Sequence, residues 1–185
     1  MHQLILLRHA KAARESADRS DHDRPLTLDG RMAAAAMGAA MRAIGLTPDV
    51  ILVSSSLRTQ ETLDALEPWE DLPNIEPNSA LYMASHLQIR DILRELPETV
   101  RSVLVIGHNP GIHELAQWLA GGGGTANGKA GTVSPELARL DDSYPPAALT
   151  EFLIATAWRK IGPAGAVLQR FIQPADLPAA TRNKA

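Results

Sequence analysis

Arg8-His9 closes the apolar run Leu4-Ile5-Leu6-Leu7, and two later apolar runs end in residues of related chemistry. Asp49 to Val53 leads into Ser54 with Arg58 just beyond, and Ser102 to Ile106 leads into His108. A guanidinium holds anions, while an imidazole can attack, shuttle a proton or bind a ligand. Taken alone, Arg8-His9 also fits a surface dipeptide, and Arg58 fits a solvated helix residue paired with Glu61 or Glu67. The recurrence at three run ends is what carries the argument. Ligands of open α/β sheets gather at the carboxyl ends of the strands. If the three runs are neighbouring parallel strands, two guanidinium groups and two imidazoles surround one pocket.

Such a pocket suits a phosphoryl group. Guanidinium forks match phosphate oxygens bidentately and keep their charge, and helix N-termini after Ser56 and Pro110 can add backbone N–H groups. A neutral imidazole is a competent nucleophile towards phosphorus, and nearby cations hold down the His9 pKa so that its lone pair stays free. Arg8, Arg58 and a protonated His108 would meet the charge that spreads over the equatorial oxygens in the transition state. The scheme calls for no metal and no cofactor.

The elements that must deliver these residues alternate. Residues 3–8 read as a buried strand, followed by a long polar loop from Lys11 to Asp23. Thr27 or Asp29 can cap a helix over Arg31 to Ile44 that stops at Gly45. Asp49 to Val53 is a second buried strand, and Ser54-Ser55-Ser56 offers hydroxyl caps to a helix from about Leu57 to Leu66. A short strand is expected around Ile75, and a helix capped by Ser85 reaches Leu96 before Pro97. Ser102 to Ile106 is a third strand, with Gly107-His108-Asn109-Pro110-Gly111 turning into a helix that ends near Ala120. Leu149 to Thr156 and Ala166 to Ile172 are closing strands. This order predicts an α/β fold in three layers, a mostly parallel central sheet with helices on both faces. Residues 1–175 are expected to form a single domain, with a flexible Gly/Pro-rich insertion at 121–146 and a tail at 176–185.

Composition excludes several classes of function. Lys and Arg number 18 against 21 Asp and Glu, a formal charge of -3, so no basic excess argues for nucleic acid or an anionic membrane. The chain has no cysteine, which removes disulfides, thiolate metal sites and a cysteine nucleophile. No signal peptide or membrane span is evident, and a cytoplasmic, soluble protein is expected.

Four blocks of the chain resemble the histidine phosphatase superfamily, with its phosphoglycerate mutase-like fold, in the branch of short phosphohistidine phosphatases of the SixA type. They are Leu7-Arg8-His9-Ala10-Lys11-Ala12; Arg24-Pro25-Leu26-Thr27 with Gly30; Ser54-Ser55-Ser56-Leu57-Arg58-Thr59-Gln60-Glu61-Thr62; and Val105-Ile106-Gly107-His108-Asn109-Pro110-Gly111. The resemblance implies His9 as the phosphorylated nucleophile, and Arg8, Arg58 and His108 as its phosphate-binding partners. It also implies a phosphohistidine-bearing protein of a signalling or phosphotransfer system as the preferred substrate. Arg24 and Asn109 are further candidates at the site. Two departures matter. The mutase-like branch carries a glutamate acid in the middle segment, where Ala80-Leu81-Tyr82-Met83-Ala84 has none, and the acid phosphatase branch places an aspartate after the second histidine, where this chain has Asn109. An imidazole leaving group needs little acid help, so the gap favours phosphohistidine over an alkyl phosphate.

Other readings are weaker. Small phosphomonoesters or sugar phosphates are the alternative substrates, and a non-catalytic phosphohistidine-binding module is the alternative from another class. His2, His22, His86 and His113 read as surface or structural histidines, although His22 lies on the loop expected over the pocket, which Arg24 can help to order. His108 and His113 are five apart, off the spacing of a zinc-binding helix, while Asp21, His22 and Asp23 lack a second cluster of ligands. Gly123 to Lys129 has the glycine spacing of a phosphate-binding loop, but Ala130 replaces the magnesium hydroxyl and a helix, not a strand, precedes it.

Overall fold

A computed structural model describes residues 1–69, 71–121 and 135–178. Six strands form one sheet: β1 (His2–Arg8), β2 (Val50–Ser54), β3 (Asn74–Asn78), β4 (Ser102–Gly107), β5 (Leu149–Ile154) and β6 (Ala166–Ile172), in the order β3-β2-β4-β1-β5-β6. β1 pairs parallel with β4, β4 with β2, and β2 with β3; β5 runs antiparallel to β1, and β6 antiparallel to β5. Strands β1, β2 and β4 are buried on both faces, as their uninterrupted apolar runs require. Pro77, which lacks an N–H for the ladder, is accommodated because β3 is an edge strand.

The side-chain period of two divides each central strand between two cores. Ile5 and Leu7 join Ile51, Val53, Leu104 and Ile106 on one face, covered by Met37, Met41, Leu63 and Leu66 of helices α1 (Leu28–Ala43) and α2 (Leu57–Leu66). Leu4 and Leu6 join Val103 and Val105 on the other, covered by Ile89 and Leu93 of α3 (His86–Arg94) and Ile112 and Leu115 of α4 (Gly111–Leu119). The α/β architecture expected from the sequence is present, with helices on both faces of a mixed sheet.

Local signals set most helix ends. The Thr27 hydroxyl accepts from Gly30 N, so α1 begins at Leu28, three residues before the expected start. At its other end Gly45, with φ of 70°, donates to Arg42 O while Leu46 N donates to Met41 O, the two bonds of a Schellman ending. Ser85 and Gln88 form a reciprocal capping box for α3. Ser56 holds the N-cap position of α2 but does not cap it, because its hydroxyl is paired with Thr59 Oγ1 at 2.9 Å.

The segment read as a flexible insertion is built differently where it is described. Pro135–Asp142 forms a fifth helix, α5, whose Leu140 is buried, and Tyr144 follows it into the core. The phenol donates to Leu6 O at 2.8 Å and meets Thr150 Oγ1 at 3.0 Å. Weak periodicity hid this, since a single aromatic anchor has no repeat. The glycine-spaced stretch Gly123 to Lys129 lies outside the described residues. Among the described residues, no helix is long and apolar enough to cross a membrane.

Candidate active site

The register brings the three strand ends level. Arg8 lies opposite Gly107 and Val53 opposite Ile106, so His9, Ser54 and His108 emerge on one edge of the sheet. The chain leaving β1 is then fastened: His9 N donates to Gly107 O at 3.0 Å, and Ala10 N to Thr62 Oγ1 of α2 at 3.0 Å. The rings of His9 and His108 come together with centroids 5.1 Å apart.

One hydrogen bond decides which nitrogen of His9 can react. Nδ1 lies 2.8 Å from Ala10 O, and a carbonyl only accepts, so Nδ1 carries the proton and Nε2 keeps its lone pair. Burial pulls the His9 pKa down from 6.5 to about 4, with the charges of Arg58, Arg8 and Arg24 acting in the same direction against the Ala10 hydrogen bond. His9 is therefore neutral at neutral pH.

His108 is 2% exposed, with Nε2 2.8 Å from Ser54 Oγ. Burial, followed by His9 and Arg58, lowers its pKa to about 3, with the Asp21 charge opposing. The sequence reading of a protonated His108 is corrected here, because burial beside His9 and two guanidinium groups disfavours the imidazolium. His108 Nδ1 is buried without a protein partner. When the Ser54 hydroxyl donates to Nε2, Nδ1 carries the proton and can meet an oxyanion.

The two arginines are held in different ways. Arg8 Nη1 donates to Tyr144 O at 2.8 Å, and its Nε is buried without a protein partner. Asn109 Nδ2 donates to the same Tyr144 carbonyl at 3.0 Å, leaving Asn109 Oδ1 unpaired. Arg58, 3% exposed, pairs with neither Glu61 nor Glu67. Its Nη2 lies 2.9 Å from Asp21 Oδ2, and its Nη1 donates to Asp21 O. Glu61 is taken by Arg31 and by Leu26 N. Arg24 orders the loop from within, with Nε donating to Ala13 O and Nη1 to Asp21 Oδ1, both at 2.7 Å.

Comparison with known proteins follows the same outline. The profile of the histidine phosphatase superfamily (branch 1) matches residues 4–81. A solved structure described as a putative phosphohistidine phosphatase SixA from Nakamurella multipartitia is 30% identical, superposes with a TM-score of 0.79, and is matched over 94% of this chain and 96% of that one. The chain belongs to the histidine phosphatase superfamily. Its place is in the SixA-type branch. An uncharacterised chloroplastic protein of Arabidopsis thaliana is 32% identical over 130 residues, 64% of this chain and 59% of that longer relative. A phosphoglycerate mutase of Plasmodium falciparum, 16% identical and covering 92% of this chain and 89% of its own, shares the fold with a TM-score of 0.57.

All four principal residues expected of a histidine phosphatase site, Arg8, His9, Arg58 and His108, meet at this edge, and Arg24 and Asn109 adjoin it. Two neighbours were not expected. Tyr82 donates its hydroxyl to Asp21 Oδ2 at 2.6 Å, stands edge-on to His108 with centroids 5.5 Å apart, and lies under Arg58, whose guanidinium carbon is 5.8 Å from the ring centre. Asp21 reads from the sequence only as a cation ligand, yet its carboxylate is committed to Arg24, Arg58 and Tyr82. No spacing rule links positions 21, 58 and 82; the one hint is the charged stretch Asp21 to Arg24 in a loop expected over the pocket. His22 packs there as well, with its Nε2 3.0 Å from Ser55 Oγ and its ring edge-on to Tyr82, while His2, His86 and His113 are paired elsewhere.

Proposed function

We propose that this protein is a metal-independent phosphatase that hydrolyses phosphohistidine on a signalling or phosphotransfer protein in the cytoplasm. It acts as one histidine phosphatase-like unit over residues 1–175, through a phospho-His9 intermediate. The observation that carries the reading is the state of His9, a neutral imidazole with Nδ1 committed to a carbonyl, packed against a second imidazole beside two arginines. The similarity to SixA of Nakamurella multipartitia, described as a putative phosphohistidine phosphatase, supports the substrate class.

Arg8 and Arg58 receive the phosphoryl oxygens, and His9 Nε2 attacks phosphorus. The bond from phosphorus to the substrate imidazole breaks, and that ring, already protonated on its other nitrogen, leaves as neutral imidazole. Water then attacks phospho-His9, releasing phosphate and restoring the neutral ring. In both transfers His108 lies beside His9 to stabilise the equatorial oxygens, with Asn109 next to it. Among the described residues, strong acid help is absent from the first step: Tyr82 is pushed above the usual phenol range by its bond to Asp21, and Asp21 is held well below the usual carboxylate range by Tyr82, Arg24 and Arg58. An imidazole leaving group tolerates that; an alkoxide does not.

The test follows a phosphohistidine peptide through rapid alkaline quenching, which preserves acid-labile phosphoimidazole. Label should collect on His9 and vanish in His9→Ala together with turnover. The phosphohistidine peptide should turn over orders of magnitude faster than an alkyl phosphate. Wild-type protein that turns over without ever labelling His9 would overturn the covalent mechanism, and equal rates on the two substrates would overturn the substrate class. A His9→Ala variant whose parent binds the phosphopeptide without turning it over would point to a binding module.

A further inference from the structure

Arg58 is a buried cation, and burying a guanidinium is costly unless something answers its charge. In the structure that partner is Asp21, which meets Nη2 through Oδ2 and Nη1 through its own carbonyl. Asp21 is itself fixed from two further sides, by Arg24 Nη1 on Oδ1 at 2.7 Å and by the Tyr82 hydroxyl on Oδ2 at 2.6 Å. Asp21 comes from the loop between β1 and α1, Arg58 from α2 and Tyr82 from the segment before α3, so one carboxylate joins three separate parts of the pocket wall. The neighbouring residues clamp the loop in place: Leu57 N donates to His22 O at 3.0 Å, and the His22 ring meets Ser55 Oγ.

Two roles fit a carboxylate against a phosphate-binding arginine. It can occupy the guanidinium as a competitor that the substrate must evict, or it can hold the guanidinium at the angle the substrate needs. The contacts favour the second role. Eviction would break four hydrogen bonds at once, three of them charge-assisted and made by the carboxylate to groups from three elements. Retention leaves two of the five guanidinium N–H groups for phosphoryl oxygens, since Asp21 takes two and Nη2 also donates to Met83 Sδ at 3.9 Å.

We infer that Asp21 is a positioning residue for phosphoryl transfer, aiming Arg58 at the phosphoryl group from a place fixed by Tyr82 and Arg24, and staying there when substrate is bound. This inference rests on the phosphatase reading, and the experiment separates the two. Steady-state turnover of a phosphohistidine peptide is measured for wild type, Asp21→Asn, Tyr82→Phe, Arg58→Ala and the double variant Asp21→Asn/Arg58→Ala, alongside inorganic phosphate binding and thermal melting. A misaimed guanidinium should cost kcat about 10- to 100-fold in Asp21→Asn, with KM changing by less than about threefold. Tyr82→Phe should lose about 3- to 10-fold in kcat as Asp21 loses one anchor. In the Arg58→Ala background, Asp21→Asn should cost less than about twofold more, because a positioning residue has nothing left to position.

A competitor would behave in the opposite way, with Asp21→Asn binding inorganic phosphate more tightly and raising kcat/KM; that result overturns the inference. Equal losses in both backgrounds overturn it too, since they mean that Asp21 merely holds the loop. Should Asp21→Asn fail to fold, unchanged kcat in Tyr82→Phe is the overturning result. A wild-type protein that turns over neither phosphohistidine nor phosphomonoesters sinks the phosphatase reading, whereas an active wild type with an indifferent Asp21→Asn sinks only the role of Asp21.

Discussion

A histidine stands at each end of strand β1, His2 buried at its start and His9 half-buried just past its last residue, and the two serve different purposes. At the amino end His2 is 5% exposed, with Nδ1 3.0 Å from Val100 O, Nε2 3.0 Å from Glu98 Oε2 and its ring 4.8 Å from that of Trp158. The surrounding groups are paired as well, with Asp49 Oδ2 accepting from Arg101 N and Ser102 N, and Ser102 Oγ donating to Gln3 Oε1. At the carboxyl end His9 and His108 sit against each other and against cations, and Arg8 Nε, His108 Nδ1 and Asn109 Oδ1 are buried without partners. Orphaned buried polar atoms are uncommon and costly in folded proteins. Complete pairing at one end of the strand suits a structural histidine; at the other, the unanswered Arg8 Nε and His108 Nδ1 are the groups that the proposed phosphoryl site would use.

Removing one histidine from each end is the sharpest way to break that contrast. His108→Ala should lower kcat/KM on a phosphohistidine peptide by about 10²- to 10³-fold, the scale of losing a preorganised transition-state donor. His2→Ala should leave kcat within about twofold but cost ~2–3 kcal/mol, since it removes the bond to Val100 O and opens a gap beside Trp158. For a chain of this size that is a fall of several degrees in melting temperature. Comparable losses of activity in the two variants would erase the distinction.

The ends also differ in how far they can be read from the chain. The carboxyl end was legible because its residues follow buried strands: an apolar run fixes the strand, its end fixes the sheet edge, and parallel pairing makes Arg8, Ser54 and His108 neighbours without any knowledge of contacts. Arg58 was legible as the next turn after Ser54, although its partner was not, because Asp21 reaches it across a loop that no period governs. Tyr82 was legible only as a position without an acid. Tyr144 was missed for a related reason: it follows a glycine-rich stretch and a short helix, and the carbonyl it offers to Arg8 and Asn109 is backbone, to which side-chain chemistry gives no clue.

Acid should weaken the carboxyl end before the rest of the molecule. A histidine held from 6.5 down to about 4 in the folded state, as His9 is, binds its proton more readily once unfolded. Between pH 6.5 and pH 4 the unfolded chain therefore holds more protons, and stability falls as the pH falls. His9 alone accounts for ~3 kcal/mol over that window, and His108, depressed further, adds to it in the same direction. Asp21, whose carboxylate is favoured by folding, acts only at lower pH, so the two effects separate. Urea midpoints measured from pH 7 to pH 4.5 should decline in wild type and decline less in His9→Gln. A variant that follows the wild-type curve would mean that the His9 ring is not held neutral by the fold.

The smallest expected effect concerns whether the segment after α5 braces the site or merely passes it. Tyr144→Phe removes the bonds to Leu6 O and Thr150 Oγ1 from a fully enclosed ring but keeps the backbone carbonyl that receives Arg8 and Asn109. Losing a buried hydroxyl that bridges β1 and β5 should cost ~1–2 kcal/mol. Because Ala147 N also holds Arg8 O and His9 O, the main chain should stay in place and kcat should remain within about twofold of wild type. Stability and activity thus part company here, as they do at His2. A large fall in kcat without loss of stability would instead make the phenol part of the site and extend the anion-binding end of β1 one layer deeper into the core.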